Sequence, residues 1–255
     1  MSLREGAFDI ISHPDFMNSS YNPYAVSPVS EAPLETRTDF VRKTYTHLAG
    51  AIAVFVLIET VLIQAGFGTM AMQLLATSKF SWLIVLGGFM GISWLANKWA
   101  YNGASQATQY AGLALYTLAE AVIFLPLIMM AMVMTGSAAI IGQAAVITGA
   151  LVLGLTAIAF TTKKDFTFMG GFLKIAGFVA LGLIVASIFM GFSLGIWFSG
   201  AMVLFAAGSI LHSTSAVMYH YSPGQHVAAS LSLFASVALL FWYVLRILMS
   251  LSGRD

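Results

Sequence analysis

The sequence predicts an all-α membrane protein with seven transmembrane helices. Of its 255 residues, 59% are hydrophobic and only 8% are charged, whereas a soluble domain carries about 25% charged residues. From Tyr45 onward, apolar runs follow one another, each near or above the roughly 20 residues that cross a hydrocarbon core. The breaks between them are short, and either polar or glycine-containing.

The first forty residues read differently. They hold four of the six prolines and six of the ten acids, with Arg4 and Arg37 as their only basic residues. A segment this polar buries too little apolar surface to offset its ordering entropy, so residues 1–40 are expected to form a disordered acidic tail and residues 41–255 the bundle. The opening stretch lacks the continuous apolar core of a cleavable signal peptide.

The seven runs are Tyr45 to Gly66, Phe80 to Asn97, Thr108 to Met134, Ala138 to Phe160, Gly171 to Phe192, Gly195 to Met218 and Val227 to Met249. Gly136 and Ser137 are all that separates the third run from the fourth. Basic residues are retained on the cytoplasmic side of a membrane, which orients the chain. A cytoplasmic start places Arg4, Arg37, Arg42, Lys43, Lys98, Lys163, Lys164 and Lys174 inside, and leaves Lys79, Arg246 and Arg254 outside. Seven crossings then put the C-terminus on the external side. Gly87 with Gly91, and Gly149, Gly154, Gly177 and Gly182, suggest places where helices approach closely. Pro126 inside the third run is expected to kink it.

Eleven Lys and Arg against ten Asp and Glu give no reason to expect a nucleic-acid partner. The absence of cysteine excludes disulfides, thiolate metal sites and cysteine nucleophiles. Glu59 in the first span and Glu120 in the third are the only carboxylates well inside the apolar runs. An ionised group there costs roughly 2.5 to 3.5 kcal/mol, so each must face the bundle interior, stay protonated or find a partner. His212 and Ser213 in the sixth span, with Ser232 and Ser236 four apart in the seventh, form a candidate polar seam. Neighbours such as His212 and Ser213 point about 100° apart on a helix, which argues against a nucleophile and its base. His212, His220 and His226 lack metal-site spacing and a sequence-adjacent acid, and no lysine in the seventh run could hold retinal. No enzyme activity, cofactor or metal is expected.

Four motifs carry a resemblance. They are Val41-Arg42-Lys43-Thr44-Tyr45 before the first span, the loop Thr161-Thr162-Lys163-Lys164-Asp165-Phe166-Thr167-Phe168-Met169-Gly170-Gly171, Leu211-His212-Ser213-Thr214-Ser215 in the sixth span, and Ser232-Leu233-Phe234 in the last, before an Arg254-Asp255 ending. With these, the chain from Arg42 to Asp255 resembles the Bax-inhibitor family of seven-helix membrane proteins, and specifically its bacterial YccA-like branch. The resemblance implies a multi-pass protein of the bacterial cytoplasmic (inner) membrane, a proton-sensitive calcium or cation leak, and protection against stress and cell death. For the YccA-like branch it implies a substrate and modulator of a membrane AAA protease. The family's leak depends on two acids, one in the sixth span and one in the seventh, which share a proton. The matching positions here are Ser213 and Ser236, and serine does not titrate in this range. Glu59 and Glu120 are the candidate substitutes.

The leading expectation is therefore a non-enzymatic interaction protein that modulates membrane-protein quality control, its acidic tail offering a membrane-bound AAA protease a handle. The alternative is a leak that passes calcium or protons by way of Glu59, Glu120 and His212, with Ser213 and Ser236 in the interhelical polar site. The lipid bilayer is a partner in either case.

Overall fold

The computed structural model describes residues 28–102, 105–162 and 164–253. Among them are eight α-helices and no strands. They are α1 (Leu34–Gln64), α2 (Phe67–Ala76), α3 (Ser81–Ala100), α4 (Gln106–Thr135), α5 (Ala139–Thr162), α6 (Met169–Met190), α7 (Gly195–Tyr219) and α8 (His226–Ser252). All but α2 are long and apolar enough to cross a membrane. The seven expected spans are thus seven helices, and α2 is an addition. At ten residues it rises about 15 Å, half a hydrocarbon core.

The connections after α3, α4, α5, α6 and α7 hold three to six residues, too few to recross a core of about 30 Å at roughly 3.5 Å per residue. From α3 to α8, successive helices therefore run antiparallel. The face where α1 begins is called the near face below, and the opposite one the far face. Sequence reading expects the near face to be cytoplasmic. On the far face, Gly136 and Gly191 close α4 and α6 in the left-handed region at φ +64° and +73°, which lets short turns end these helices without steric cost.

The bundle starts earlier than expected. α1 begins at Leu34 rather than near Tyr45, and Phe40, Thr44, Leu48 and Ala51 are buried along one of its faces. A 3-10 turn, Val29–Glu31, precedes it. The Val29 N–H donates to the Tyr221 carbonyl at 2.8 Å, and the Ser30 hydroxyl donates to the Tyr219 carbonyl at 3.2 Å. Residues 28–40 thus belong to the folded bundle, because Val29 and Phe40 are buried in its core. The expectation of a disordered tail over residues 1–27 lies outside the described residues.

Helices α4 and α8 form the centre, each with buried residues along most of its length. Lipid-facing surface dominates α6, where Ala180 is the one buried residue. α4 continues as a helix through Pro126, which is itself buried. Of the glycines expected at close contacts, Gly177 alone packs on a neighbour, where a Cβ would lie 3.6 Å from the Phe205 ring. A Cβ on Gly87, Gly91, Gly149, Gly154 or Gly182 would meet nothing within 4 Å, while one on Gly112 would come 2.6 Å from the Ala96 carbonyl oxygen. Gly112 is what lets the α4 backbone press against α3, since any side chain there would force the helices apart.

Candidate functional site

The i, i+4 repeat sets Ser209 and Ser213 on one face of α7, and Ser232 and Ser236 on one face of α8. These faces meet. The hydroxyls of Ser209 and Ser236 are 2.9 Å apart, those of Ser213 and Ser232 3.0 Å, and those of Ser213 and Ser236 3.4 Å. Ser236 also donates to the Ser232 carbonyl at 3.0 Å. Ser213 and Ser236 are therefore direct neighbours across the α7–α8 seam, and both are buried. The sequence identified three of these four serines and missed Ser209, although its four-residue offset from Ser213 was there to be read.

This seam lines a cavity of about 980 Å³ walled by α3, α4, α6, α7 and α8. Tyr101, just past the near-face end of α3, lines it, and so do residues 193–195 in the far-face turn. The cavity consequently follows the bundle axis for most of its length. Glu120, halfway along α4, lines it together with His212, while Lys174 near one face and Arg246 near the other complete its charged lining. Glu120 is 5% exposed, and its carboxyl interacts with the hydroxyl of Tyr116, one turn earlier on α4.

Glu59 is absent from that lining. It is 4% exposed, and neither of its carboxylate oxygens has a hydrogen-bond partner. The two glutamates proposed together from the sequence thus have separate surroundings, and only Glu120 joins His212 and the serines.

His212 is set by the most distinctive sequence motif. The loop before α6 docks on the near-face end of α7, where the Phe166 N–H donates to the Ser215 hydroxyl at 3.1 Å. The second residue of α6, Gly170, packs against the His212 ring, and a Cβ there would lie 2.8 Å from its Cε1. The His212 Nδ1 is buried with no hydrogen-bond partner. The first glycine of the motif's pair therefore makes room for an imidazole in the cavity wall.

The other two histidines of the C-terminal half go elsewhere. His220 Nε2 lies 3.1 Å from Asp165 Oδ2 and 2.9 Å from Thr167 Oγ1, tying the same loop to the end of α7. At Asp165, slight desolvation raises the carboxyl, but hydrogen bonds from Thr167 and the nearby His220 outweigh it and hold the group below the ordinary carboxylate range. His226 is the first residue of α8. Between them, the Tyr221 hydroxyl is 2.8 Å from that of Tyr101 at the cavity's near end. Burial first, and then the neighbouring Tyr101, push the Tyr221 phenol well up. Among the described residues, no three His, Asp or Glu side chains gather as a metal-ligand set.

A family model described as inhibitor of apoptosis-promoting Bax1 matches residues 37–253, nearly the whole bundle. No curated protein matches the chain.

Proposed function

The chain belongs to the Bax-inhibitor family, and from that premise we propose that it is a membrane protein that leaks protons through the cavity beside Glu120. The observation that carries this reading is the convergence of Glu120, His212 and the four-serine seam on one cavity that runs most of the way between the faces. Carboxyl, imidazole and hydroxyl groups each both take and give protons, so a series of them, bridged by water, passes a proton without a wide pore.

Charge favours the proton over calcium. A divalent cation path needs acids along a wetted route, and here one acid, Glu120, is flanked by Lys174 and Arg246 towards the two faces. One fixed cation towards each face repels a divalent ion, while a proton hops between neutral groups. Replacing the family's acid pair by Ser213 and Ser236 removes further negative charge without breaking the polar continuity, since these hydroxyls remain 3.4 Å apart. The reading as a modulator of a membrane AAA protease in the bacterial inner membrane rests on the resemblance and on a tail whose first 27 residues lie outside those described. The cavity supports transport instead.

Purified protein in liposomes separates the ions. Under an imposed potential, a dye for internal pH should report proton entry above protein-free vesicles, while a trapped calcium dye should not. Calcium flux without proton flux, or neither, would overturn the reading.

A further inference from the structure

Three helices bring His47, Tyr110 and His226 together at the near face, away from the cavity. The sequence separates these residues by 63 and 116 positions, so no spacing motif marks them. His47 Nε2 lies 3.1 Å from the Tyr110 hydroxyl oxygen, and His226 Nε2 lies 3.5 Å from the same atom. The two imidazole centroids are 5.0 Å apart. We propose that His47, His226 and Tyr110 form a binding site for a divalent transition ion of the zinc or nickel class, clamping α1, α4 and α8 together.

Imidazole ligands suit zinc and nickel, and binding needs the neutral ring with one nitrogen's lone pair free. In the neutral ring of His47 the backbone selects the tautomer. Its Nδ1 lies 2.6 Å from the Lys43 carbonyl oxygen, which can only accept, so Nδ1 carries the hydrogen and Nε2 presents its lone pair to Tyr110. An outer hydrogen bond from the second ring nitrogen to a backbone carbonyl is the usual way a ligating histidine is oriented. Both rings are aimed at the one phenol oxygen, so an ion seated among the three atoms can bond both nitrogens. Bonds of about 2.0 to 2.1 Å to each nitrogen place two Nε2 atoms roughly 3.3 Å apart in a tetrahedral set. The two Nε2 atoms lie 3.1 and 3.5 Å from the phenol oxygen, close to that ligand-to-ligand spacing.

The surroundings permit entry and hold the charge. Tyr110 is exposed and His47 half-buried, giving access from the near face, whereas His226 is 6% exposed and anchored in the core. The neighbouring cation, Lys43, is paired at 2.7 Å with Asp39, which also holds Arg42 at 2.8 Å, so the carboxylate reduces the repulsion of an incoming ion without cancelling it. Two protein nitrogens and a phenol oxygen leave at least one position for water.

The inference is independent of the proton path, because none of the three residues lines the cavity. Calorimetry on the full chain in detergent, without a histidine tag, using zinc and nickel chloride at pH 7.5, tests it. One saturable site is expected, with affinity lowered at least about tenfold in His47→Gln, as removing a direct ligand should cost no less than disturbing an outer-shell group. His220→Gln should bind as the native protein does. His47→Gln should unfold at an unaltered temperature without metal and lose the upward shift that zinc gives the native protein. No saturable binding, or equal binding in His47→Gln, overturns the proposal, as does a loss confined to His220→Gln.

Discussion

Glu120 and Glu59 are both buried acids in apolar helices, and their surroundings differ. Glu120 sits halfway along α4 beside the Tyr116 hydroxyl, on a cavity shared by five helices. Glu59 lies five residues from the far-face end of α1, with both oxygens shut from solvent and from hydrogen bonds. In the proposed leak the first exchanges protons with water and other polar groups, whereas the second is enclosed. Burial alone does not separate the two acids. Their surroundings do, and these depend on which helices pack around each residue.

The largest expected effect separates the two sites by stability. Glu59→Lys forces a charge into an enclosed apolar site and should cost about 3 kcal/mol or more. Glu120→Lys faces a cavity that admits water and should cost clearly less. Thermal unfolding midpoints in detergent compare them, and equal losses would break the distinction. In the opposite direction, Glu59→Met removes an unsatisfied buried polar group at similar volume and should stabilise by about 1 to 2 kcal/mol. The same change at Glu120 should bring little stability and remove the relay group.

The serine seam sharpens the comparison from the cavity side. In Ser213→Asp with Ser236→Asp, two carboxyls would replace hydroxyls 3.4 Å apart. Like charges that close cannot both form in a low-dielectric site, so they titrate as a coupled pair. Proton flux in liposomes should gain a pH-dependent component absent from either single variant. A double variant with the native pH profile would show that the seam lies off the path.

The smallest effect lies at the near-face loop. The Asp165 carboxyl is held below its ordinary range, so its contribution to stability is full above the unfolded value of about 3.9 and disappears as pH falls through the lower folded value. The group is exposed, which limits the contribution to under about 1 kcal/mol. Asp165→Asn should thus lower the unfolding midpoint slightly at pH 7 and match the native protein once the pH has fallen below the folded value.

Much of the bundle was legible because long apolar runs admit few other structures in a bilayer. The start of α1 was hidden by Glu35, Arg37, Asp39, Arg42 and Lys43, whose charges extend the helix beyond the apolar run. Yet Phe40, Thr44 and Leu48 recur every four residues and are buried, a periodic signal that outlasts the hydropathy signal. α2 was missed because ten apolar residues are too few to register as a span. At the site, the α8 serines could be read from their offset. The choice between Glu59 and Glu120 could not, since each is one acid in an apolar helix until the neighbouring helices are placed. The His47, Tyr110 and His226 group was likewise out of reach, because only the packing of α1, α4 and α8 brings it together.

Proton flux measured side by side in liposomes for Glu120→Gln and Glu59→Gln tests the difference between the two acids most directly. Glutamine keeps size and hydrogen bonding but cannot carry the proton. Flux should fall at least about tenfold in Glu120→Gln, the reduction typical of losing one proton-transfer group, and stay near the native rate in Glu59→Gln. Native flux in Glu120→Gln, or loss in Glu59→Gln alone, would contradict a path through the cavity.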